Sequence, residues 1–252
     1  GASAGIGAAF AGRLAADGYD LILVARRKDR LDAFASKLAT QYSVSTEALP
    51  ADLSEPAEVE RVAEHITACE SLALLVNNAG FGTPGYYAEL RIQDHMAMLQ
   101  VHVGATMCLT RAALPGMIAR HQGGIINVSS VAAFLPYGSN TMYHTTKAAL
   151  NAFSAVLQDE LRGTQVKVQA LCPGYTLTEF HNGPKYQNVH RPTKPNLIWM
   201  SADQVVVTSL ADLRRGKIIC VPGLLYKMVV MLATSGLTRP LVHWFAARIR
   251  RH

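Results

Sequence analysis

The chain has 252 residues, half of them apolar and 17% charged, a balance that builds a sizeable core and excludes a disordered chain. Its formal charge of +6 is lopsided: every acidic residue lies at or before Asp212, whereas Arg214, Arg215, Lys217, Lys227, Arg239, Arg248, Arg250 and Arg251 follow it. A near-neutral body with one basic tail argues against nucleic-acid binding, and four scattered cysteines without a C-x-x-C pair describe neither a metal site nor a disulfide framework.

Such cysteine usage fits a reducing, cytoplasmic setting, and no secretory leader is expected at the start. The chain opens on Gly1 of a glycine-rich turn, and a turn of that kind is expected to follow a buried strand, here one ahead of Gly1. From there short apolar runs alternate with helix-length amphipathic stretches. Strands are predicted at Asp20–Arg26, Val44–Leu49, Leu72–Asn77, Gly124–Ser129, Gln165–Leu171 and Lys217–Val221. Helices are predicted at Gly5–Ala16, Lys28–Thr40, Pro56–Ala68, Ile92–Ala119, Asn140–Arg162 and Ala202–Arg214. Each crossover is long enough for a βαβ unit, so the fold class is α/β, a Rossmann-type doubly wound parallel sheet in three layers. One domain is expected over 1–252, with a proline-rich lid at about 173–200 and a C-terminal extension at about 222–252. The apolar stretch 218–237 is interrupted by Pro222, Gly223 and Lys227, which disfavours a membrane span.

Three groups of residues carry chemistry. Gly1, Gly5 and Gly7 stand where a strand-to-helix turn approaches a phosphate closely, with the helix N-terminus favouring an anion. Past the next strand, where an acid would hold the 2′-hydroxyl of NAD, stand Arg26 and Arg27, whose guanidinium groups suit a 2′-phosphate. Asp52 either holds the adenine amino group or caps the helix that follows it. Ser130 closes a strand, while Tyr143 and Lys147 lie four residues apart on one helix face. A nearby Lys147 cation is expected to lower the phenol's pKa toward the working range, and the Ser130 hydroxyl to bind a carbonyl oxygen.

The turn Gly1–Gly7, the run Asn77-Asn78-Ala79-Gly80, Ser130 thirteen residues before Tyr143, Lys147, and Pro173-Gly174 with Thr178 together resemble the short-chain dehydrogenase/reductase family. The surroundings of Arg26 and the C-terminal extension look most like its broad, poorly assigned bacterial reductase branch. The resemblance implies catalysis by Ser130, Tyr143 and Lys147. It also implies a coenzyme site of Gly1, Ser3, Ala4, Gly5, Ile6, Gly7, Arg26, Asp52, Leu53, Asn78, Ala79, Gly80, Tyr143, Lys147, Pro173, Gly174, Thr176 and Thr178. The coenzyme expected is NADP, with NAD the alternative, although Ala4 stands where NADP-preferring members often carry a cation. His102 occupies the position of a family Asn that holds a water near the Lys; proton relay, impaired turnover and a neutral structural role are all open for it.

The activity expected is hydride transfer between a nicotinamide and a ketone or secondary alcohol, chiefly NADPH-dependent reduction of an apolar or acyl carbonyl compound. The alternatives are a reductase of carrier-bound acyl groups and a non-catalytic dinucleotide sensor. A homodimer or homotetramer is implied. Leu241, Phe245 and Ile249 share a helical face beside Arg248, Arg250 and Arg251, so peripheral contact with an anionic membrane is a further expectation.

Overall fold

The computed structural model describes residues 1–83, 85–135, 139–181, 192–236 and 238. The central part of the expected lid, with its Tyr186, and the tail from Arg239 onward lie outside the described residues. The elements in chain order are α1 Gly5–Ala16, β1 Leu21–Ala25, α2 Lys28–Tyr42, β2 Thr46–Pro50, α3 Pro56–Ala68, β3 Leu74–Asn77, α4 Ile92–Leu99, α5 Ala105–Ala119, β4 Gly123–Val128, α6 Thr141–Glu160, β5 Val166–Leu171, β6 Thr176–Leu177, β7 Met200–Ser201, α7 Ala202–Arg214, β8 Ile219–Cys220 and α8 Leu224–Thr234.

All strand pairs are parallel. β3, β4, β5 and β8 neighbour one another in that order, and β1 pairs with β2 in the register Leu21 to Thr46. Between β1 and β3 lies a cleft of about 470 Å³ walled by Leu21, Leu23, Leu74 and Val76. Tyr143 and Lys147 do not line this cleft, so it is separate from the reacting groups.

Successive residues of the central strands feed opposite layers, which is why those strands read as continuous apolar runs. Ile125 joins Val59, Val62, Leu109, Met117 and Leu157 from α3, α5 and α6. Ile126, one residue on, joins Phe10 of α1 and Val205, Val206 and Leu210 of α7. A further cluster packs Leu31 and Leu38 of α2 on Leu21 and Leu23 of β1. Helices therefore cover both faces, the doubly wound arrangement expected from the alternating pattern.

Two elements differ from expectation. The single helix predicted over Ile92–Ala119 is split by a π-helical turn, Gln100–Gly104, an insertion that periodicity does not report. That turn carries His102 into the interior, where it is 1% exposed. The stretch 218–237 divides into β8 and the 11-residue α8, which buries Tyr226 and Ala233 and exposes Leu224, Met228 and Met231. Among the described residues no helix is long and apolar enough to cross a membrane.

Candidate active site

The site forms where β4 ends and α6 begins. Ser130 caps the 3-10 turn Val131–Phe134, its Oγ accepting from the Ala132 N–H at 3.1 Å. His144 ties that turn to α6 through Nδ1 and the Ala132 carbonyl, 2.9 Å apart. Ser129 Oγ donates to the Lys147 carbonyl at 2.8 Å, so consecutive serines hold the helix and the turn in one register. The Ser130 side chain lies on the Tyr143 phenol side of the site, where it favours the ionised form, and the Lys147 Nζ lies 5.6 Å from the centroid of the Tyr143 ring. The three residues that the sequence singles out are brought together.

Their electrostatics correct one expectation. Burial raises the Tyr143 pKa above the ordinary 10, with the Ser130 side chain opposing the shift, because the phenolate would be poorly solvated. Lys147 is the more perturbed partner: burial lowers its pKa to about 8, and its ammonium donates to the Val128 carbonyl at 2.7 Å. In the protein alone desolvation dominates, and Tyr143 is held as the proton-bearing acid.

His102 sits against both. Its Nε2 accepts from the Phe81 N–H at 3.0 Å, so the ring proton is on Nδ1, which donates to Thr146 Oγ1 at 2.9 Å. Thr146 Oγ1 in turn donates to the Tyr143 carbonyl at 3.0 Å. Burial first and the Lys147 charge second keep the His102 pKa well below its usual value. With both nitrogens engaged, the imidazole joins the strand-to-loop segment after Gly80 to α6.

On the coenzyme side, Gly5 adopts φ +56, and a Cβ there would stand 3.1 Å from Thr178 Cβ. A Cβ on Gly7 would fall 2.2 Å from the Gly1 carbonyl oxygen, so this turn is passable only for glycine. Ala4 is the N-cap of α1 and offers no side-chain cap, leaving the first N–H groups of the helix for a ligand or solvent. Ser3 is buried, Ile6 packs on the layer of α7, and Asn78 Nδ2 donates to the Gly1 carbonyl at 3.0 Å. Ala79 packs on the core, and Gly80 lies beside the His102 Nε2 and Lys147 Nζ atoms.

Asp52 neither caps α3, whose N-cap is Glu55, nor stands free. Its Oδ1 accepts from the Ser54 N–H and hydroxyl at 3.0 and 2.7 Å, while Oδ2 faces Arg26 at 3.7 Å. The Leu53 side chain belongs to the core, so only its backbone is left for a coenzyme. The Pro173 carbonyl accepts from Val131 N–H at 3.1 Å, and Thr176 Oγ1 donates to the Gly174 carbonyl at 3.0 Å.

Gly174 owes its identity to a residue that the motifs do not mark. A Cβ there would enter the Tyr226 ring at 2.0–2.3 Å. The Tyr226 hydroxyl accepts from the Tyr175 N–H at 2.9 Å and donates to the Ile198 carbonyl at 2.7 Å, pinning both ends of the lid. Beneath the site Asn77 donates to Thr110 and Asn127, and Asn127 to Ser154, at 2.9–3.1 Å. A buried polar side chain at a regular position on a strand or helix is the one signal by which these could have been found.

The family model described as "short chain dehydrogenase" matches residues 1–187, the span that holds every residue of this site except Ile198 and Tyr226. This chain belongs to that family. The chain is 33% identical over 184 residues to the very-long-chain 3-oxoacyl-CoA reductase of Anas platyrhynchos, which covers 71% of this chain and 59% of that protein. It therefore spans about three-fifths of that relative's length. A probable NADP-dependent dehydrogenase of Haemophilus influenzae is 36% identical over 187 residues, 72% of each chain. Among solved structures, a short-chain dehydrogenase from Sphingobium yanoikuyae in complex with NADPH has a TM-score of 0.81 and 33% identity, covering 89% of this chain and 86% of that one.

The chain thus has the Rossmann-type fold of the short-chain dehydrogenase family. Its residues fit a dinucleotide: an all-backbone glycine turn, an α1 N-terminus without a side-chain cap, and arginines at the end of β1.

Proposed function

We propose that this protein uses NADPH to reduce a ketone on an apolar or acyl-chain compound. The observation that carries this reading is the placing of the buried Lys147 ammonium 5.6 Å from the Tyr143 ring centroid, at the end of the strand that closes on Ser130. When bound on the glycine turn, the coenzyme supplies the hydride. Tyr143 gives its phenolic proton to the substrate oxygen, toward which the Ser130 hydroxyl also donates. The neutral phenol is the resting form at working pH and is the form that can donate this proton. Lys147 then stabilises the phenolate left behind and contributes its ammonium to the ribose side of the site.

NADP over NAD is supported by Arg26 at the end of β1 and by the NADP-linked relatives. The acyl class is supported by the 3-oxoacyl-CoA relative and by apolar residues at the lid, where Leu197 and Ile198 are exposed and Tyr175 lies 4.9 Å from Trp199. A homodimer or homotetramer is part of the reading, supported by the exposed Met96, Met107 and Val156 on α4, α5 and α6. So are a cytoplasmic setting and contact of the basic tail with an anionic membrane.

The test is titration of the protein with NADPH and NADH, repeated on Arg26→Ala. Tighter NADPH binding that Arg26→Ala removes supports the coenzyme assignment; absence of binding to either overturns it. Turnover of 3-oxoacyl thioesters and bulky ketones by Tyr143→Phe is expected to fall at least about 100-fold with coenzyme affinity kept, as for loss of a general acid.

A further inference from the structure

The 3-10 turn Glu179–His181 sends a carboxylate back to the start of α2. Arg30 grips it with both terminal nitrogens, Nη1 donating to Oε2 at 2.9 Å and Nη2 to Oε1, although the two residues are 149 positions apart. Arg27 Nη2 stands 3.6 Å from the same carboxylate. The neighbours of Glu179 reach the other parts of the site. Thr178 fills the space where a side chain on Gly5 would stand, and the Phe180 ring lies 6.0 Å from that of Tyr143. Three consecutive residues therefore touch the glycine turn, the arginines and the catalytic phenol. They form a strap across the path that a dinucleotide would take.

We propose that Glu179 is a coenzyme-specificity residue: it occupies Arg27 and Arg30 as an internal carboxylate until a 2′-phosphate takes them. Binding of NADPH then releases the Thr178–Phe180 strap, whereas NADH, which lacks the phosphate, leaves it latched. A phosphate dianion has more charge than a carboxylate and the same bidentate fit to a guanidinium, so it is the stronger ligand for this pair. The latch is exchangeable because it is wet: the Arg27, Arg30 and Glu179 side chains are 58%, 39% and 46% exposed, and exposed pairs are weak. Glu179 stays ionised at working pH, since the hydrogen bond from Arg30 holds its pKa below the ordinary value. Arg26, which faces Asp52 at 3.7 Å rather than Glu179, is a further cation for the same phosphate.

This inference rests on the coenzyme reading above, and the probes are chosen to separate the two. The full chain and its Glu179→Gln variant are titrated with adenosine 2′,5′-bisphosphate and with 5′-AMP, and amide hydrogen exchange is followed over residues 176–181. The bisphosphate is expected to speed exchange of the strap in the wild type and 5′-AMP to leave it unchanged. Glu179→Gln is expected to bind the bisphosphate roughly two- to fivefold more tightly, the range of an exposed ion pair, with 5′-AMP affinity unaltered. Its strap is expected to exchange fast before any nucleotide is added. Equal or weaker bisphosphate binding by Glu179→Gln, or a strap slowed by the bisphosphate, overturns the latch while leaving the coenzyme site intact. A wild-type protein that binds neither probe nor NADPH overturns both.

Discussion

Thr146→Val tests the assignment of His102 as a fixed, neutral group. The substitution keeps the shape of the side chain but removes the oxygen that accepts the Nδ1–H of a ring that is 1% exposed. An unsatisfied buried donor costs about 1–3 kcal/mol, which for a chain of this size lowers Tm by roughly 2–10 °C. The ring cannot escape by moving its proton to Nε2, because Nε2 is already facing the Phe81 N–H. Nor can it escape by protonating, since Lys147 and burial both oppose a second charge there. His102→Asn, by contrast, keeps one donor and one acceptor and is expected to cost less. The assays are thermal unfolding of the two variants and the pH profile of kcat/KM for carbonyl reduction. Between pH 5 and 7 the wild-type profile should show no limb from His102, and its ring nitrogens should report the Nδ1–H tautomer throughout by 15N NMR. A rate limb near pH 6.5 that disappears in His102→Asn would refute the argument and restore the relay.

Two further outcomes follow from the same geometry. Lys147 has its pKa lowered to about 8 in the fold against 10.5 when unfolded, so between those values the unfolded chain binds the extra proton and folding stability rises with pH. Burial raises Cys172 and Cys220 from 9.0 to about 12, and these thiols act oppositely above pH 9, so the lysine's contribution is read as wild type minus Lys147→Met in urea unfolding from pH 7 to 10.5. That difference should move in favour of wild type as pH rises; a flat difference would mean that the ammonium is not desolvated. Gly174→Ala should displace the Tyr226 ring, raising KM for carbonyl substrates and lowering Tm, and Gly174→Ala with Tyr226→Leu should recover part of the loss. An unimpaired Gly174→Ala would show that Tyr226 does not pin the lid.

The contrast between what was legible and what was not comes down to the range of the interactions. α1, α3 and α7 begin and end where apolar periodicity places them, because their boundaries are local: a glycine turn, Pro56 at the first helical position, and the Ser201–Gln204 capping box. Ser130, Tyr143 and Lys147 were legible because their order and spacing along β4 and α6 set their geometry. The π turn was not, since one inserted residue in a 28-residue apolar pattern leaves the composition of each face almost unchanged. Neither was the sign of the Tyr143 shift, which depends on how far the phenol is withdrawn from water rather than on which residue follows it four positions later. Tyr226 and Glu179 were hidden for a third reason. Each acts on residues about 50 to 150 positions away, and a tyrosine in an apolar stretch or a glutamate after a threonine has no local pattern that names its partner. What such residues share is chemistry that would otherwise be incomplete: a glycine with no room for a Cβ, or a cluster of arginines at one strand end. An unexplained glycine or an unpaired charge cluster next to a recognised motif is therefore the place to look for the distant residue that completes the site.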